Sequence, residues 1–510
     1  MTVIPPEEQT PLLAPENAPS PSSHKNTKPL RFTVLCIIFL LTVEFGSFVM
    51  VPPGTEILES IICRQYYDAH DPNRFPGRGK IPERDCKVDK VDGEVALIQG
   101  VLMSLYMVPS VLLAIPYGQI ADNPKYGRKF VARLSLCGIL LSGVWEALIL
   151  WFSDYIPVRS LWLSPIFMFM GGGNGVLASM VCVMITDVVE PGQRATAFFQ
   201  LELVTFLAQF LAPPISAWMM ETDSWTPYLL GMALCFASAI PLLLMSETMP
   251  PGVDTEEEEE EVNISPETPL ESSDSSSKRV NKTLPRSQNA VHQVWQSWKF
   301  ILSSRLLLLL PTFFIFTIGS RQANFLLLYA SKRYGITIAQ AGFLLSIFSA
   351  VNVALLLLVL PAVSTFMLSR LGFSSNRKDL WLARFSITIG TMGCFMIAFS
   401  PNIPSVVVGL VVYTLSVGLL GLVRSLITSF VETHHVARLY SIVSIVQTTG
   451  VIVAGPMLAG LFKLGFAFGG EWAGLPFLVG GGMHFVVVIT LWLVRLPKKT
   501  EMEDPSSPEE

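Results

Sequence analysis

Long apolar runs recur along the chain from residue 32 to residue 494, separated by shorter polar stretches. A helix that crosses a bilayer needs roughly 20 predominantly apolar residues, which is the scale of these runs. Several contain Pro or Gly, which membrane helices tolerate better than soluble helices do. We therefore predict an all-α membrane protein with twelve transmembrane helices, at approximately residues 32–51, 95–117, 131–152, 161–186, 197–219, 227–245, 305–329, 341–363, 382–400, 404–430, 440–462 and 474–494.

The polar stretches divide these helices into two groups of six. Between the groups an acidic run, Glu256–Glu261, is followed by a Ser-rich stretch, a composition typical of a disordered linker. The simplest interpretation is a spacer, and phosphorylation of its serines is the alternative. We predict a disordered cytosolic tail (1–31), a six-helix first half (32–246), a disordered acidic and Ser-rich cytosolic linker (247–303), a six-helix second half (304–495) and a cytosolic C-terminal tail (496–510).

Composition agrees with a membrane location. The 510 residues are 51% hydrophobic and only 15% charged, which is unlike an ordinary soluble domain. The net charge of −5 comes mostly from the tails and the linker, and the sequence has no basic stripe with interleaved aromatic residues, so nucleic acid is not an expected partner. The expected partners are the lipid bilayer and a small-molecule substrate, and we expect a monomer.

Residue patterns for catalysis or cofactor binding are missing from the sequence. It has no recognisable nucleophile–base set, no Cys/His spacing of a metal site and no Walker-type Gly-x-x-x-x-Gly-Lys-Ser/Thr loop. We predict that the protein is not an enzyme, binds no metal and uses no cofactor. A proton gradient is then the expected driving force.

Basic residues in the short loops predict the orientation, because short cytosolic loops are enriched in Lys and Arg. Lys25, Lys28 and Arg31 precede the first helix, and Lys125 and Arg128 follow the second. Both termini are therefore predicted to be cytosolic, which agrees with an even number of crossings.

Two of the seven cysteines, Cys63 and Cys86, lie in the predicted long loop after the first helix, on the non-cytosolic side. That compartment is oxidising, so we predict a disulfide between them. The other five cysteines fall inside apolar runs and are interpreted as packing residues.

The loop between the second and third predicted helices carries one acid and several bases, in the sequence GQIADNPKYGRK from Gly118 to Lys129. A Gly, an acid four residues later and a following Gly-Arg-Lys resemble the signature of major facilitator superfamily transporters. The difference is that four residues, rather than two, separate Asp122 from Gly127. The segment Lys378–Arg384 and the pair Arg424-Ser425 further resemble fungal, drug:proton antiporter-like members. The resemblance implies the major facilitator fold, two six-helix halves working by alternating access.

Charged residues at the cytosolic helix ends are the candidate gate. Paired acids and bases there can lock the two halves together in the outward-facing state, and breaking them favours the inward-facing state. The alternative is that the basic residues only enforce topology. The gating candidates are Gly118, Asp122, Gly127, Arg128, Lys129, Asp187 and Arg194.

Polar residues inside the apolar runs are the candidate cavity, because a charge in the membrane is costly unless it is paired or faces water. In the resembled fold helices one, four, seven and ten line a central cavity, where Glu44, Arg321 and Arg424 would converge. Glu44 is the candidate proton site, and the two arginines would bind an anionic substrate or keep a carboxylate ionised. A structural ion pair is the alternative for each. The full cavity set is Glu44, Arg321, Arg424, Glu202, Asn324 and Asn174.

The N-terminal tail contains Glu8, Leu12 and Leu13. An acid four residues before paired leucines resembles the acidic dileucine signal that adaptor complexes recognise on proteins bound for endosomes or the vacuole. The alternative is an unremarkable tail. We expect a plasma-membrane location, with the vacuolar or endosomal membrane as the alternative.

The resulting hypothesis is proton-coupled export of a drug-like molecule or secondary metabolite by alternating access. Two features of drug:proton antiporters are missing: the fourth helix has no Arg between Leu161 and Ile185, and the fifth has only Ala212-Pro213-Pro214 in place of a Gly-Pro motif. Import or vacuolar transport of a nutrient or organic anion remains open. A non-transporting membrane sensor is the alternative of another class.

Overall fold

The computed structural model of the protein describes residues 29–75, 79, 81–123, 125–189, 194–248, 304–428 and 436–494. The candidate sorting signal (Glu8, Leu12 and Leu13) lies outside these residues. So do most of the predicted linker, from residue 249 to residue 303, and the C-terminal tail.

The described chain is helical, with the crossings in the order that the apolar runs predict. Eleven helices are long and apolar enough to cross a membrane, and the seventh crossing is a helix in two pieces. The crossings are α1 (Pro29–His70), α2 (Asp89–Ala121), α3 (Gly127–Trp151), α4 (Val158–Val188), α5 (Arg194–Met220), α6 (Trp225–Leu244), α7 (Ser304–Ser320 and Leu326–Tyr334), α8 (Ile338–Ser369), α9 (Ser375–Ala398), α10 (Ile403–Thr428), α11 (Val436–Phe468) and α12 (Leu475–Leu493).

The first helix is much longer than the predicted 32–51, because α1 continues through Pro52 and Pro53 to His70. Pro53 has no N–H to donate to the carbonyl of Val49, the residue four positions earlier. That carbonyl instead accepts a hydrogen bond of 2.8 Å from the Ser216 hydroxyl of α5. A neighbouring helix thus satisfies the freed backbone group, as membrane helices with internal proline require. Cys63 consequently lies within a helix and not in a loop.

Three crossings are interrupted near their middle. A 3₁₀ segment, Val158–Met170, and a turn at Gly171 and Gly172 precede the α-helical part of α4. A 3₁₀ turn, Arg321–Phe325, divides α7, and a turn at residues 415–418 divides α10. Non-helical backbone inside a membrane is tolerated where it is buried in protein or lines a water-filled cavity, and such breaks are typical of transporter binding sites.

The molecule has two ends, which we name by their contents. The disulfide end contains Cys63 and Cys86 and the last turn of α7, and the motif end contains the Gly118–Lys129 loop. One apolar core at the disulfide end includes residues of both halves, among them Ile57 and Leu328. At the motif end, one core contains residues of the first half alone and another contains residues of the second half alone. The halves therefore close on each other at the disulfide end.

Two helix pairs join the halves: α2 packs against α11, and α5 packs against α8. The backbones of α2 and α11 approach each other closely. A Cβ added to Gly100 of α2 would lie 2.5 Å from the carbonyl oxygen of Gly455 in α11. One turn later, the Ser104 hydroxyl donates a hydrogen bond of 2.7 Å to the carbonyl of Ile452. Small residues allow membrane helices to approach this closely, so the two glycines bring the halves together.

Candidate functional site: a cavity between two six-helix halves

The loop at the motif end is organised around Arg128. Gly127, at φ +77°, begins α3 in the left-handed region that glycine adopts without strain. The Arg128 guanidinium forms an ion pair with Asp187 at the end of α4 and lies 4.0 Å from Asp122. Asp122 is 73% exposed, so its contribution is the weaker one. Gly118 accepts the backbone N–H of Asp122 at 3.1 Å.

Glu247, which the sequence interpretation assigned to the linker, belongs to this cluster. Its carboxylate accepts the backbone N–H groups of Arg128 and Lys129 at 3.1 Å each, at the N-terminus of α3. A negative charge there offsets the helix dipole. Thr248 donates to Asp187 at 2.9 Å. In the sequence, Glu247 is an acid directly after the sixth apolar run, which could have indicated its role. The nearby acidic run Glu256–Glu261 made it look like part of the linker.

Lys129 serves the same half in another way. Its ammonium donates to the carbonyls of Leu243, at 2.8 Å, and Met245, at the end of α6. All these contacts join elements of the first half: the α2–α3 loop, α4 and the end of α6. The side chain of Arg194, the remaining gating candidate, lies outside the described part. The structure thus groups Asp122, Arg128, Lys129 and Asp187, and their gating role stays a prediction.

Exposed polar and small residues follow one face of α4 and of the last part of α10. On α4 these are Asn174, Gly175, Ala178, Ser179 and Cys182; on α10 they are Gly421, Arg424 and Ser425. Polar side chains on a membrane helix face the bundle interior or a water-filled cavity. One fixed offset along the chain relates Gly175 to Gly421 and Ser179 to Ser425, so these pairs occupy corresponding exposed faces of the two halves.

The charged cavity candidates contact different neighbours, and their convergence on one cavity stays a prediction. Glu44 of α1 lies within electrostatic reach of Glu202 on the adjacent α5. Arg424 donates to the Gln447 amide oxygen of α11 at 2.6 Å. Arg321 lies in the break of α7 near Tyr413, and its Nε is buried without a hydrogen-bond partner. Among the described contacts, none connects Glu44 to either arginine.

A small cavity of about 180 Å³ lies between the halves and is lined by residues of α1, α2 and α7. Its polar groups are the Gln99 amide, which donates to the Thr55 hydroxyl at 3.0 Å, and the predicted Asn324, which donates to the Met103 sulfur at 3.0 Å. The apolar lining comes from Val51, Phe325, Leu327 and Leu328. No local pattern distinguishes Thr55 and Gln99, since single Thr and Gln residues in or beside apolar runs are common.

The predicted disulfide is confirmed. Cys63 of α1 and Cys86, in the short helix Glu83–Cys86, are bonded with their Cα atoms 5.2 Å apart. The bond ties the α1–α2 connection back onto the end of α1.

Comparison with known proteins agrees with this architecture. The chain matches the model of the Major Facilitator Superfamily over residues 94–455. It is 30% identical over 501 residues to the MFS-type transporter aprT of Aspergillus flavus, with 97% of this chain and 95% of the relative covered. It is likewise 30% identical over 501 residues to the MFS efflux pump atnC of Emericella nidulans, with 97% and 94% covered.

Among solved structures, the partially occluded, inward-open xylose transporter XylE from E. coli is similar at a TM-score of 0.56 and 13% identity. The match covers 93% of this chain and 99% of that chain. At that identity it shows a shared fold alone. Taken with the family model and the fungal relatives, it leads to one conclusion: the chain belongs to the major facilitator superfamily, and it is a multi-pass membrane transporter, not an enzyme.

Proposed function

We propose that this transporter exports a small organic molecule, drug-like or a secondary metabolite, by alternating access. The observation that carries the proposal is the asymmetry of the cores: one core closes the disulfide end across both halves, and two separate cores leave the halves apart at the motif end. A transporter in this conformation offers its central cavity from the motif end. The efflux-pump name of a relative that matches 97% of the chain supports the direction.

The orientation places the motif end in the cytosol, as the basic residues of the short loops predict. The conformation described here is then inward-facing, the state in which an exporter loads its cargo. Both termini are cytosolic in this arrangement. We place the protein in the plasma membrane, with the vacuolar or endosomal membrane as the alternative.

Proton coupling is assigned to Glu44 together with Glu202. Two carboxylates within electrostatic reach repel each other when both are ionised, and a membrane interior increases that cost. Binding one proton between them relieves the repulsion. The pair lies between α1 and α5, beside the cavity face of α4, because the Cys182 thiol is also within electrostatic reach of Glu202. Because this pair lies beside the cavity face, a cargo molecule bound in the cavity can change its affinity for the proton.

A second candidate function, transport of an organic anion, is favoured by Arg321. Its buried Nε lacks a partner within the described chain, and Arg424 is bonded to a neutral amide instead of a carboxylate. Both guanidinium groups retain positive charge that an anionic cargo would neutralise.

Cellular accumulation tests the proposal directly. Cells that lack or overexpress the protein are exposed to a panel of neutral, cationic and anionic small molecules and native metabolites, with and without a protonophore. We expect lower accumulation on overexpression, abolished by the protonophore and by Glu44→Gln. Glu221→Gln, an exposed carboxylate beyond the end of α5, is the matched control. Higher accumulation of anions alone would support the second candidate, and no change for any compound would favour a sensor.

A further inference from the structure

A buried ion pair connects the two halves at the disulfide end. Lys332, in the last turn of α7, has its ammonium 3.0 Å from a carboxylate oxygen of Asp89 and 3.0 Å from one of Asp92, both in the first turn of α2. Asp92 is fully buried and the Lys332 side chain is 15% exposed. The pair therefore exists only while the halves are together at this end.

The disulfide-tied connection adds a second set of charges. The Lys87 ammonium is 2.7 Å from Glu59 of α1 and 3.0 Å from Glu83. Burial lowers the pKa of Lys87, but Glu59 and Glu83, aided by Asp92, outweigh this effect and raise the pKa overall. Lys87 stays charged, and its backbone carbonyl accepts a hydrogen bond from Lys332.

Glu83 makes another contact with the second half. One carboxylate oxygen accepts the backbone N–H of Ile338, the first residue of α8, at 2.8 Å. The same oxygen is 3.5 Å from the Ser331 hydroxyl of α7. The connection between α1 and α2 thus reaches both helices that flank the α7–α8 turn, so it bridges the halves independently of Asp92.

Cys86 is the residue between these contacts. It follows Glu83 and precedes Lys87, and its partner Cys63 lies one helical turn beyond Glu59 in α1. The disulfide and the Lys87–Glu59 ion pair therefore fix the same short segment to α1. Without the disulfide, ordering this segment would cost conformational entropy each time the end closes.

We propose that Lys332, Asp92 and Glu83 are the gate of the disulfide end, and that the Cys63–Cys86 disulfide positions the segment that completes it. The proposal rests on the proposed alternating access, because a gate has meaning only if this end opens. Opening must separate Lys332 from a buried carboxylate and release Glu83 from α8. Removing one partner of such a pair favours the open state, since the remaining charge gains water there.

The chain offers a matched control in Lys463 of α11. This lysine lies at the same end, with its stem 3.2 Å from the position of a Cβ built on Gly93 of α2. Within the described part of the chain it forms no ion pair. Lys463→Gln thus removes a positive charge at the same interface without removing a gate contact.

The test measures distances across both ends of the full-length protein in lipid nanodiscs. Nitroxide labels carried on non-cysteine residues, which spare the disulfide, are placed at the exposed positions Tyr155 and Phe468 for the disulfide end, and at Leu244 and Leu371 for the motif end. We expect Lys332→Gln to lower the ratio of closed to open disulfide ends about tenfold. Lys463→Gln should leave the ratio unchanged. Lys332→Arg, which keeps the positive charge, should have a ratio close to that of the wild type.

Two further variants separate a gate from a general loss of structure. Adding Asp92→Asn to Lys332→Gln should change the ratio little, because residues that form one contact are not additive. The Cys63→Ser/Cys86→Ser variant should shift the ratio in the same direction by a smaller factor. If Lys332→Gln has no more effect on the ratio than Lys463→Gln, while the wild type still shows open and closed populations, the proposed gate is contradicted. The proposed alternating access is not contradicted by that result. A single population at each end in every variant, with no flux, would instead contradict the proposed function.

Discussion

The two ends of this transporter use charged residues differently. At the disulfide end, Lys332 and Glu83 connect one half to the other. A core of apolar residues from both halves lies at the same end. At the motif end, the contacts that the described residues show for Arg128 and Asp187, and those of Glu247 with the start of α3, join elements of the first half, and each half has its own core. In this conformation the charges at the disulfide end hold the halves together, whereas those at the motif end shape one half. Substitutions at the two ends should therefore have different consequences.

The largest expected effect is on folding stability, from removal of the disulfide in Cys63→Ser/Cys86→Ser. The bond closes a segment with a sequence separation of 23 residues, for which the chain-entropy model gives about 3 kcal/mol. Thermal unfolding of the purified protein should show a clearly lower midpoint. Cys137→Ser, which removes a partly buried free thiol, is the control. An unchanged midpoint would mean that the α1–α2 connection is held by its ion pairs alone.

The next effect concerns the close contact between the halves. Gly455→Ala places a methyl group against the carbonyl of Gly100, and overpacking of this kind costs about 1–3 kcal/mol. Because the contact exists only when the disulfide end is closed, we expect slower transport, by about tenfold or more, with a smaller effect on unfolding. Gly460→Ala in the same helix meets no atom within 4 Å and should transport normally. Equal rates for the two variants would contradict the assigned contact.

Hydropathy predicts most of this fold, because each crossing must be apolar over its own length. The end of α1 is the main error: the first helix was predicted to end near residue 51, but α1 continues through Pro52 and Pro53. The Ser216 hydroxyl that accommodates Pro53 belongs to a helix more than 160 residues later. The fully buried Asp92 was likewise placed in a loop, since its partner Lys332 comes from the other half. Contacts between distant segments carry no local pattern.

The candidate sites divide in the same way. The local signature around Gly118–Lys129 identified Asp122 and Arg128, and the position of Asp187 at a cytosolic helix end identified that acid; the structure groups all three at the motif end. The convergence of Glu44 with Arg321 and Arg424 was inferred from helix numbers alone. In the structure Glu44 lies near Glu202 and Arg424 donates to Gln447. These contacts depend on the rotation of each helix about its axis, which helix numbers do not give, and the convergence on one cavity stays a prediction.

A third prediction ranks the acids around Arg128. Arg128→Gln removes the direct ion pair with Asp187, whose side chain is 21% exposed, and should lower stability by about 1 kcal/mol and slow transport several-fold. Asp122→Asn removes a partner that is 4.0 Å away and mostly exposed, so a change below about 0.5 kcal/mol is expected. Unfolding midpoints and initial transport rates of both variants give the comparison. A larger effect for Asp122→Asn would show that this acid acts in another conformation, as a contact between the halves.

The smallest effect is expected from Glu247→Gln, which tests whether the end of α6 belongs to the first half or to the linker. The substitution keeps an acceptor for the N–H groups of Arg128 and Lys129 but removes the charge that offsets the dipole of α3, a loss of about 0.5 kcal/mol. The unfolding midpoint should therefore fall slightly, and the fall should shrink at high salt. Glu221→Gln is the control, because it removes an exposed carboxylate at the other end of the first half. If both variants behave alike, Glu247 acts as a linker residue, and Arg128 is positioned by Asp187 alone.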